Sequence, residues 1–248
     1  MKFIGIIPAR YASTRFPGKP LVDINGKTMI QRVYEQVSSI LDDVWVATDD
    51  NRIFDAVQGF GGSVDMTSDK HKIGTDRVKE AYDIITKEGD VFDVIINIQG
   101  DEPFIQADQI NSLKECFNSP NVDIATLAKK IDSLDELFDI NKVKLVRSIC
   151  GKALYFSRFS IPYQRGVEES LWLENHDYYK HIGMYAYKSS VLGKIANLPM
   201  SKLEISESLE QLRWLENGFT IQTAITDIES IGIDTPEDLN KVKQMNLL

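Results

Sequence analysis

The chain has 248 residues, of which 43% are hydrophobic and 26% are charged, so it is long enough to bury a substantial core. Its formal net charge of −9 at pH 7 gives no general attraction to nucleic acid or to anionic membranes, so we expect neither as a partner. No apolar run approaches the ~20 residues that a membrane helix needs, and Pro8 ends an apolar start too short for a signal peptide. We therefore expect a cytoplasmic protein in which Cys116 and Cys150 stay reduced.

The early part of the chain alternates short apolar runs with segments of helical periodicity. Apolar, β-branched runs predict buried strands, and apolar residues three and four apart predict amphipathic helices. In chain order, the predictions are a strand at Phe3–Ile7, a helix at Thr28–Leu41, a strand at Val44–Thr48, a helix at Arg52–Gln58, a strand at Ser63–Met66, a helix at Asp76–Lys87 and a strand at Val94–Ile98. Such alternation requires crossover connections, so it predicts an α/β fold with a mainly parallel central sheet.

The later part of the chain has a less regular pattern that is richer in strands. The predictions are strands at Ile124–Lys129, Lys144–Arg147, Gly151–Phe156, Gly183–Lys188 and Ile221–Ile225, and helices at Ser206–Asn217 and Asp238–Met245. No change of composition marks a boundary, so we expect a single domain over residues 1–248.

A basic segment follows the first predicted strand. In parallel α/β sheets, ligands bind beside the carboxyl ends of the strands, so this position favours a functional role. Residues 8–20 carry Arg10, Arg15 and Lys19 with no acidic residue among them, and Ser13 adds a hydroxyl group. In an acidic protein this segment predicts a cradle for a polyphosphate, with a solvated basic loop as the alternative. It matches neither the GxxxxGK[ST] nor the GxGxxG pattern.

Two aspartates are candidates for a metal site. Asp101 follows the apolar strand at Val94–Ile98, and Asp234 follows a short apolar stretch near the end of the chain. Mg²⁺ binds one or two protein carboxylates together with phosphate oxygens, so we expect the basic segment and both aspartates to converge on one nucleotide. The alternative for Asp101 is a turn aspartate that bonds its own backbone. Thr235 is predicted to cap the last helix, which leaves Asp234 to reach the metal.

Several segments occur together and in one order along the chain. They are Ile7–Leu21, Gly74–Arg77, Gln99–Pro103, Ala153–Arg158, His181–Tyr185, Leu209–Leu212 and Asp234–Leu239. The first alone would be shared with other sugar cytidylyltransferases. The whole set closely resembles the CMP-KDO synthetases, or 3-deoxy-manno-octulosonate (KDO) cytidylyltransferases, over nearly the whole chain.

The resemblance implies a nucleotide-diphospho-sugar transferase fold, which is Rossmann-like and has helices on both faces of its sheet. It implies a reaction of CTP with KDO that gives CMP-KDO and pyrophosphate for lipopolysaccharide biosynthesis. It also implies Mg²⁺ as cofactor and a homodimer, with a sugar-binding and dimerisation portion around residues 145–215.

The resemblance further implies roles for individual residues. The implied nucleotide ligands are Arg10, Ser13, Arg15, Lys19, Thr75 and Arg77. The implied metal ligands, Asp101 and Asp234, form the predicted catalytic set together with Arg15 and Lys19. The implied sugar site consists of Gln99, Arg158, His181, Tyr185, Glu210 and Gln211.

Other functions remain as alternatives. The sugar could be a related acid, such as a sialic acid or an amino-substituted KDO. A nucleotide-sensing module without chemistry is disfavoured because both Asp101 and Asp234 are present. A dehydrogenase is disfavoured because the glycine-rich dinucleotide fingerprint is missing.

Overall fold

The structure, a computed structural model, describes residues 1–13, 15–71, 73–87, 89–229 and 231–244. Contacts within the chain divide it into two compact units, the first being Met1–Ala107 with Ser230–Leu248 and the second Asp108–Glu229. The single domain that we expected from composition stays a prediction. Among the described residues, no helix is both long and apolar enough to cross a membrane.

The first unit contains the alternating strands and helices that the sequence predicts. Its elements are β1 (Phe3–Ala9), β2 (Asp23–Ile24), β3 (Lys27–Thr28), α1 (Met29–Ser38), β4 (Val44–Thr48), α2 (Asn51–Gly59), β5 (Val64–Met66), α3 (Gly74–Lys87) and β6 (Val94–Asn97). The four longer strands are all parallel and lie in the order β6-β1-β4-β5, while β2 and β3 form a short antiparallel pair. This confirms the predicted mainly parallel α/β architecture.

Close packing of α1 against β1 explains why these segments fold as they do. Helix α1 buries Met29, Ile30 and Val33 on one face, and the Thr28 side chain caps its start by accepting the backbone N–H of Gln31. Strand β1 carries Gly5 at the contact, where a Cβ atom would lie 3.2 Å from Cγ1 of Val37 in α1 and 3.0 Å from a methyl group of Leu41 just after the helix.

The strand register places the carboxyl ends of three strands at one edge of the sheet. Ala9 of β1 pairs with Thr48 of β4, and Ile6 of β1 pairs with Asn97 of β6. The segments that follow these strands therefore leave the sheet at the same edge, which is where ligands bind in folds of this kind.

The second unit is built on a mixed sheet. Its elements are α4 (Ala107–Cys116), β7 (Ile124–Lys130), α5 (Leu134–Phe138), β8 (Lys144–Arg147), β9 (Ala153–Ser157), α6 (Trp172–Asn175), β10 (Tyr179–Lys188), α7 (Ser189–Ala196), α8 (Lys202–Glu207), α9 (Gln211–Glu216) and β11 (Ile221–Ile225). Strand β7 pairs parallel with β11 and antiparallel with β10, while β8 pairs antiparallel with both β10 and β9. Helix α10 (Pro236–Gln244) belongs to the first unit.

One predicted helix is wrong as drawn from the sequence. The segment predicted as a single helix over Ser206–Asn217 forms α8 and α9, and Ser208 between them has left-handed backbone angles (φ 52°, ψ 48°). The Glu204 carboxylate accepts a 2.7 Å hydrogen bond from Nε of Arg213, and both side chains are almost fully buried. This ion pair joins the two short helices, and apolar spacing alone does not reveal it.

Other differences concern element boundaries and short helices. The sequence analysis predicts no element at β2, β3, α4, α5, α6 or α7, and β10 begins at Tyr179 rather than at Gly183. Residue Met245, the predicted end of the last helix, lies outside the described residues.

Candidate active site

The basic segment after β1 is a tight loop organised around the backbone of Tyr11. The Tyr11 carbonyl oxygen accepts hydrogen bonds from the backbone N–H groups of Ser13 (3.0 Å) and Gly18 (2.9 Å). Gly18 has a φ of 72°, a left-handed conformation that favours glycine. The Ser13 hydroxyl accepts the backbone N–H of Phe16 at 3.3 Å. The loop thus folds back on itself and presents its cations from a compact frame.

A cavity of about 440 Å³ lies beside this loop, within the first unit. It is lined by Pro8, Ala9, Arg10, Ala12, Ser13, Arg15, Lys19, Pro20, Gly74, Gln99, Gly100 and Asp101. Six of the predicted site residues are therefore brought together here: Arg10, Ser13, Arg15, Lys19, Gln99 and Asp101. Gly74 begins α3, so the positive end of that helix dipole also lies at the cavity.

Backbone contacts place the two predicted metal carboxylates next to each other. The turn after β6 approaches β1 so closely that a Cβ atom at Gly100 would lie 2.9 Å from the Pro8 carbonyl oxygen. The carbonyl oxygen of Asp101 accepts the backbone N–H of Ile233 at 2.9 Å, and Ile233 is fully buried in an apolar cluster. Because Asp234 follows Ile233 directly, its carboxylate is held beside that of Asp101.

Lys19 joins the two carboxylates. Its Nζ donates to Oδ2 of Asp101 at 2.6 Å and to Oδ1 of Asp234 at 3.0 Å, and its side chain is only 13% exposed. Arg15 contacts the other oxygen of Asp234 at 3.1 Å from the solvent side. Burial lowers the pKa of Lys19, but the two carboxylates outweigh burial and raise the pKa above its ordinary value of 10.5. The predicted convergence of the basic loop with Asp101 and Asp234 is therefore present in the structure.

The helix that begins at the cavity carries two further predicted nucleotide ligands, which are both buried. Arg77 is fully buried, and its guanidinium group donates to the Asp49 carboxylate and to the Thr67 hydroxyl, both at 2.5 Å. Thr75 is 2% exposed. Neither side chain lines the cavity. Burial and the nearby charge of Arg77 lower the pKa of Arg10, which lines the cavity.

The remaining predicted sugar ligands lie in the second unit. His181 and Tyr185 of β10 are in ring contact at 5.2 Å, and Tyr185 also packs edge-on against Trp214 of α9 at 5.1 Å. Gln211 begins α9, with Glu210 at its N-cap position. The structure therefore groups His181, Tyr185, Glu210 and Gln211 around β10 and the start of α9.

This group and the adjacent Trp214 contain buried donors that lack a hydrogen-bond partner among the described residues. Within the part of the chain that the structure describes, Nε2 of Gln211 and Nε1 of Trp214 are buried without a hydrogen-bond partner. An unsatisfied buried donor is costly, so each is suited to meet an acceptor on a ligand. The prediction omitted Trp214, although its place three residues after Gln211 puts both side chains on one helical face.

His181 and Arg158 differ in how they are held. Burial lowers the pKa of His181 well below its ordinary value, so its imidazole is neutral, and one ring nitrogen contacts the Thr126 hydroxyl at 3.0 Å. The Arg158 guanidinium group donates to the backbone carbonyl oxygens of Glu207 (2.7 Å), Ile140 (3.4 Å) and Ser208 (3.4 Å). All three acceptors are uncharged carbonyl groups, and the Glu207 carboxylate also lies close, since its Oε2 accepts the backbone N–H of Arg158 at 2.9 Å.

The chemistry that the first unit can support follows from these contacts. A cavity at the carboxyl ends of parallel strands, lined by three cations and carrying two carboxylates bridged by an ammonium group, is typical of an enzyme that binds a nucleoside triphosphate. The class that fold and site define is an α/β nucleotidyltransferase. Within the described residues, no cluster of three or more histidine, cysteine, aspartate or glutamate side chains could hold a metal by itself.

Comparisons with known proteins agree with this class and narrow it. The family model described as "Cytidylyltransferase" matches residues 4–230. A 3-deoxy-manno-octulosonate cytidylyltransferase of Parabacteroides distasonis is 60% identical, over 97% of this chain and 96% of the relative. One of Bacteroides thetaiotaomicron is 58% identical, over 98% of both chains. The chain belongs to the 3-deoxy-manno-octulosonate cytidylyltransferase family.

Solved structures give the same result for the fold. The structure of a CMP:2-keto-3-deoxy-manno-octonic acid synthetase complexed with CTP matches with a TM-score of 0.89 and 42% identity, covering 99% of this chain and 98% of that chain. A 4-diphosphocytidyl-2C-methyl-D-erythritol synthase from Anaerococcus prevotii matches with a TM-score of 0.60 at 13% identity, over 98% of both chains. The latter likeness concerns the fold alone. The predicted family and Rossmann-like fold class are thereby confirmed.

The ion pairs of Lys19 lead to a prediction about its titration. Asp101→Asn should lower the pKa of the Lys19 ammonium group, because it removes the nearer carboxylate while the burial that opposes the charge remains. Because the folded-state pKa is raised, these pairs stabilise the fold below about pH 10.5 and lose that effect as the pH rises through the folded-state value. An NMR titration of the lysine side-chain nitrogens measures the midpoint directly. Asp42→Asn, at an exposed carboxylate before β4, is the control, and an equal midpoint in the wild type and Asp101→Asn would contradict the contact.

Proposed function

We propose that this protein transfers the cytidylyl group of CTP to KDO, releasing pyrophosphate and giving CMP-KDO for lipopolysaccharide biosynthesis. The observation that carries the proposal is the contact of Lys19 with both Asp101 and Asp234, at a cavity lined by Arg10 and Arg15. The names of the close relatives support the choice of CTP and of the sugar acid.

The reaction requires two anions to meet. The anomeric hydroxyl oxygen of the sugar forms a bond to the α-phosphorus of CTP, the bond from that phosphorus to the bridging oxygen of pyrophosphate breaks, and the hydroxyl proton is lost to solvent. Arg10, Arg15 and Lys19 would offset the charge of the triphosphate and of the departing pyrophosphate. Ser13 would add a hydroxyl donor to the same phosphates. Positioning and charge stabilisation therefore account for the contribution of the loop.

The cofactor that we propose is Mg²⁺, and the residues present fit it. Asp101 and Asp234 already converge on one cation, the ammonium group of Lys19, which lies 2.6 Å and 3.0 Å from their oxygens. Two carboxylates completed by phosphate oxygens suit Mg²⁺, which seldom uses an all-protein cage. When bound, the ion would supply charge neutralisation at the phosphates and make the sugar hydroxyl more acidic.

The sugar contacts that we propose follow from the chemistry of each side chain. Arg158 would bind the sugar carboxylate, because a guanidinium group pairs with a carboxylate through two parallel hydrogen bonds. His181, which is neutral, and Tyr185 would bind hydroxyl groups rather than anions. Glu210 would accept hydrogen bonds from hydroxyl groups, and Gln211 would donate through its buried Nε2. Gln99, which lines the cavity, is the remaining predicted contact.

A substrate comparison tests the function. Purified protein with CTP and KDO in the presence of Mg²⁺ should release pyrophosphate, and UTP in place of CTP should give a much lower kcat/KM. A sialic acid and an amino-substituted KDO should be poorer acceptors than KDO in the same assay. Preference for either of those sugars would move the assignment to the corresponding sugar acid, and CTP-independent or absent release would refute the proposal.

The role of Asp234 can be separated from nucleotide binding. Asp234→Asn should reduce kcat at least about 100-fold while the Kd for CTP changes only a few-fold, because it removes one of the two carboxylates that would hold the metal beside the reacting phosphate and leaves the contacts to the base in place. Mg²⁺-dependent stabilisation of the CTP complex in a thermal shift assay should be reduced but not abolished, since Asp101 remains. The matched control is Glu237→Gln, which changes an exposed acidic residue in the first turn of α10, three residues after Asp234. Wild-type kcat in Asp234→Asn would exclude the proposed metal role.

We also infer a homodimer, which exposed aromatic residues of the second unit support. Phe138 and Tyr163 both pack against Trp172, with ring centroids 5.8 Å and 5.5 Å apart, yet they remain 40% and 71% exposed. Ile140 and Phe159 are also exposed, at 61% and 73%. An apolar surface of this kind marks an interaction site, and a second copy of the chain is the partner that we propose.

Light scattering coupled to gel filtration tests the dimer. The wild type should elute as a dimer at micromolar concentration, and Tyr163→Glu should shift it towards the monomer because a charge would be buried in an apolar contact. Lys130→Glu, at an exposed residue of the same unit, should leave the mass unchanged. A monomeric wild type would overturn the inference.

A further inference from the structure

The aromatic ring of Tyr11 lies between two parts of the first unit. On one side is Gly18, where a Cβ atom would lie 3.1 Å from the Tyr11 Cζ atom. The guanidinium carbon of Arg52 lies over the ring, 3.2 Å from its centroid. Tyr11 thus joins the two ends of the basic loop to α2, an element that contributes nothing to the lining of the cavity.

The Arg52 guanidinium group is itself fixed by Asp50. Oδ1 of Asp50 accepts from Nε of Arg52 at 2.9 Å, and Oδ2 accepts from Nη2 at 2.6 Å. The same Oδ1 also accepts the backbone N–H of Arg52 at 2.9 Å, so Asp50 is the N-cap of α2. The hydrogen bonds from Arg52 lower the pKa of Asp50, which keeps its carboxylate charged. A two-pronged contact at a helix cap gives the guanidinium plane a defined orientation.

The basic loop needs a fixed point besides the ion pairs of Arg15 and Lys19 with Asp101 and Asp234, because its three cations also repel one another. Arg10, Arg15 and Lys19 carry like charges within a short segment, and Arg15 is 66% exposed. Cation–π attraction from a rigid arginine holds the ring without adding a negative charge to the site. A carboxylate in the same place would also hold the loop, but it would repel a triphosphate.

We propose that Tyr11 is a positioning residue for CTP, an inference that rests on the function proposed above. Held between Gly18 and the Asp50–Arg52 pair, it fixes the loop so that Arg10, Ser13, Arg15 and Lys19 meet the triphosphate in one geometry. Tyr11 itself does not touch the reacting atoms. The acidic pair after β4 therefore has a scaffolding role, in which Asp49 holds Arg77 and Asp50 holds Arg52.

Substitutions at Tyr11 test the ring. Tyr11→Leu should weaken CTP binding in calorimetry about tenfold or less, within the range expected for a lost cation–π contact and a loosened loop. Tyr11→Phe keeps the ring and should bind within about twofold of the wild type, since phenylalanine also supports the interaction. KM for CTP should rise in Tyr11→Leu, while KM for KDO stays unchanged. Equal losses in both variants would assign the effect to the hydroxyl group and overturn the proposal.

Substitutions at Arg52 separate positioning from simple charge. Arg52→Lys keeps the charge but loses the planar contact and the two-pronged bond to Asp50, so it should weaken CTP binding about threefold. That loss should be the same at low and high salt. Arg52→Gln removes the charge as well. If only this variant lost CTP affinity, and if high salt abolished the difference, Arg52 would attract CTP directly. Lys27→Ala, which removes an exposed ion pair in the same unit, is the control and should bind CTP normally.

Amide hydrogen exchange separates this inference from the proposed function. The N–H groups of Ser13 and Gly18, both bonded to the Tyr11 carbonyl oxygen, should exchange faster in Tyr11→Leu than in the wild type or Tyr11→Phe, with no ligand present. Faster exchange in a protein that does not bind CTP would refute the proposed function but not the role of Tyr11 in fixing the loop. Unchanged exchange at Ser13 and Gly18 would refute the role of Tyr11 in fixing the loop, whatever the outcome of the CTP assays.

Discussion

One ammonium group connects three distant parts of the sequence. Lys19 lies 82 residues from Asp101 and 215 residues from Asp234, yet its Nζ contacts both carboxylates. Two carboxylates that contact one cation in a partly buried place would repel each other strongly without it. The ammonium group between them therefore permits the arrangement. The loop after β1, the turn after β6 and the segment before α10 are therefore tied together by charge. The Mg²⁺ ion that we propose would compete with Lys19 for the same oxygens, so its binding would be coupled to the position of the lysine side chain.

The polar groups of the second unit have different surroundings from those of the first. Around β10 and α9, polar groups are set among aromatic rings and carry no net charge at His181, Tyr185 or Trp214. Neutral donors and acceptors in an apolar surrounding discriminate strongly between hydroxyl patterns, because a missing partner leaves a buried group unsatisfied. The two units thus differ in the groups they present: the first unit gathers Arg10, Arg15 and Lys19 with two carboxylates, whereas the surroundings of β10 and α9 in the second unit present mainly neutral donors and acceptors. This contrast fits a reaction between a nucleotide and a sugar.

The sequence predicts the parallel strands well because their signal is local. The runs at β1, β4 and β6 are apolar and β-branched, and the structure extends or trims them by only a few residues. Helix α4 was not predicted, since it buries a glutamine, Gln109, among its apolar residues and so lacks a clear apolar face. The break at Ser208 is accompanied by the buried ion pair of Glu204 with Arg213, two side chains nine residues apart in sequence. Periodicity carries no information about such contacts.

The same distinction applies to the site. The rule that ligands bind at the carboxyl ends of parallel strands was enough to bring Lys19 and Asp101 together from sequence. It could not show that Arg77, placed by family resemblance among the nucleotide ligands, is fully buried and bound to Asp49. Trp214 was missed because an indole at helical spacing normally indicates core packing, and only its unsatisfied Nε1 sets it apart.

The close approach of two backbone segments requires a glycine at position 100. The nearest atom to an added Cβ would be a backbone oxygen of Pro8, at 2.9 Å, and a main-chain atom cannot move aside by changing rotamer. Glycine is thus demanded by the spacing of two strand ends, whichever sugar is activated. Any chain that keeps this spacing of the two strand ends needs a residue without a Cβ atom here. Gly100 therefore carries no information about the sugar acceptor, and under the proposed function that choice would fall to side chains elsewhere, such as Gln211 and Trp214.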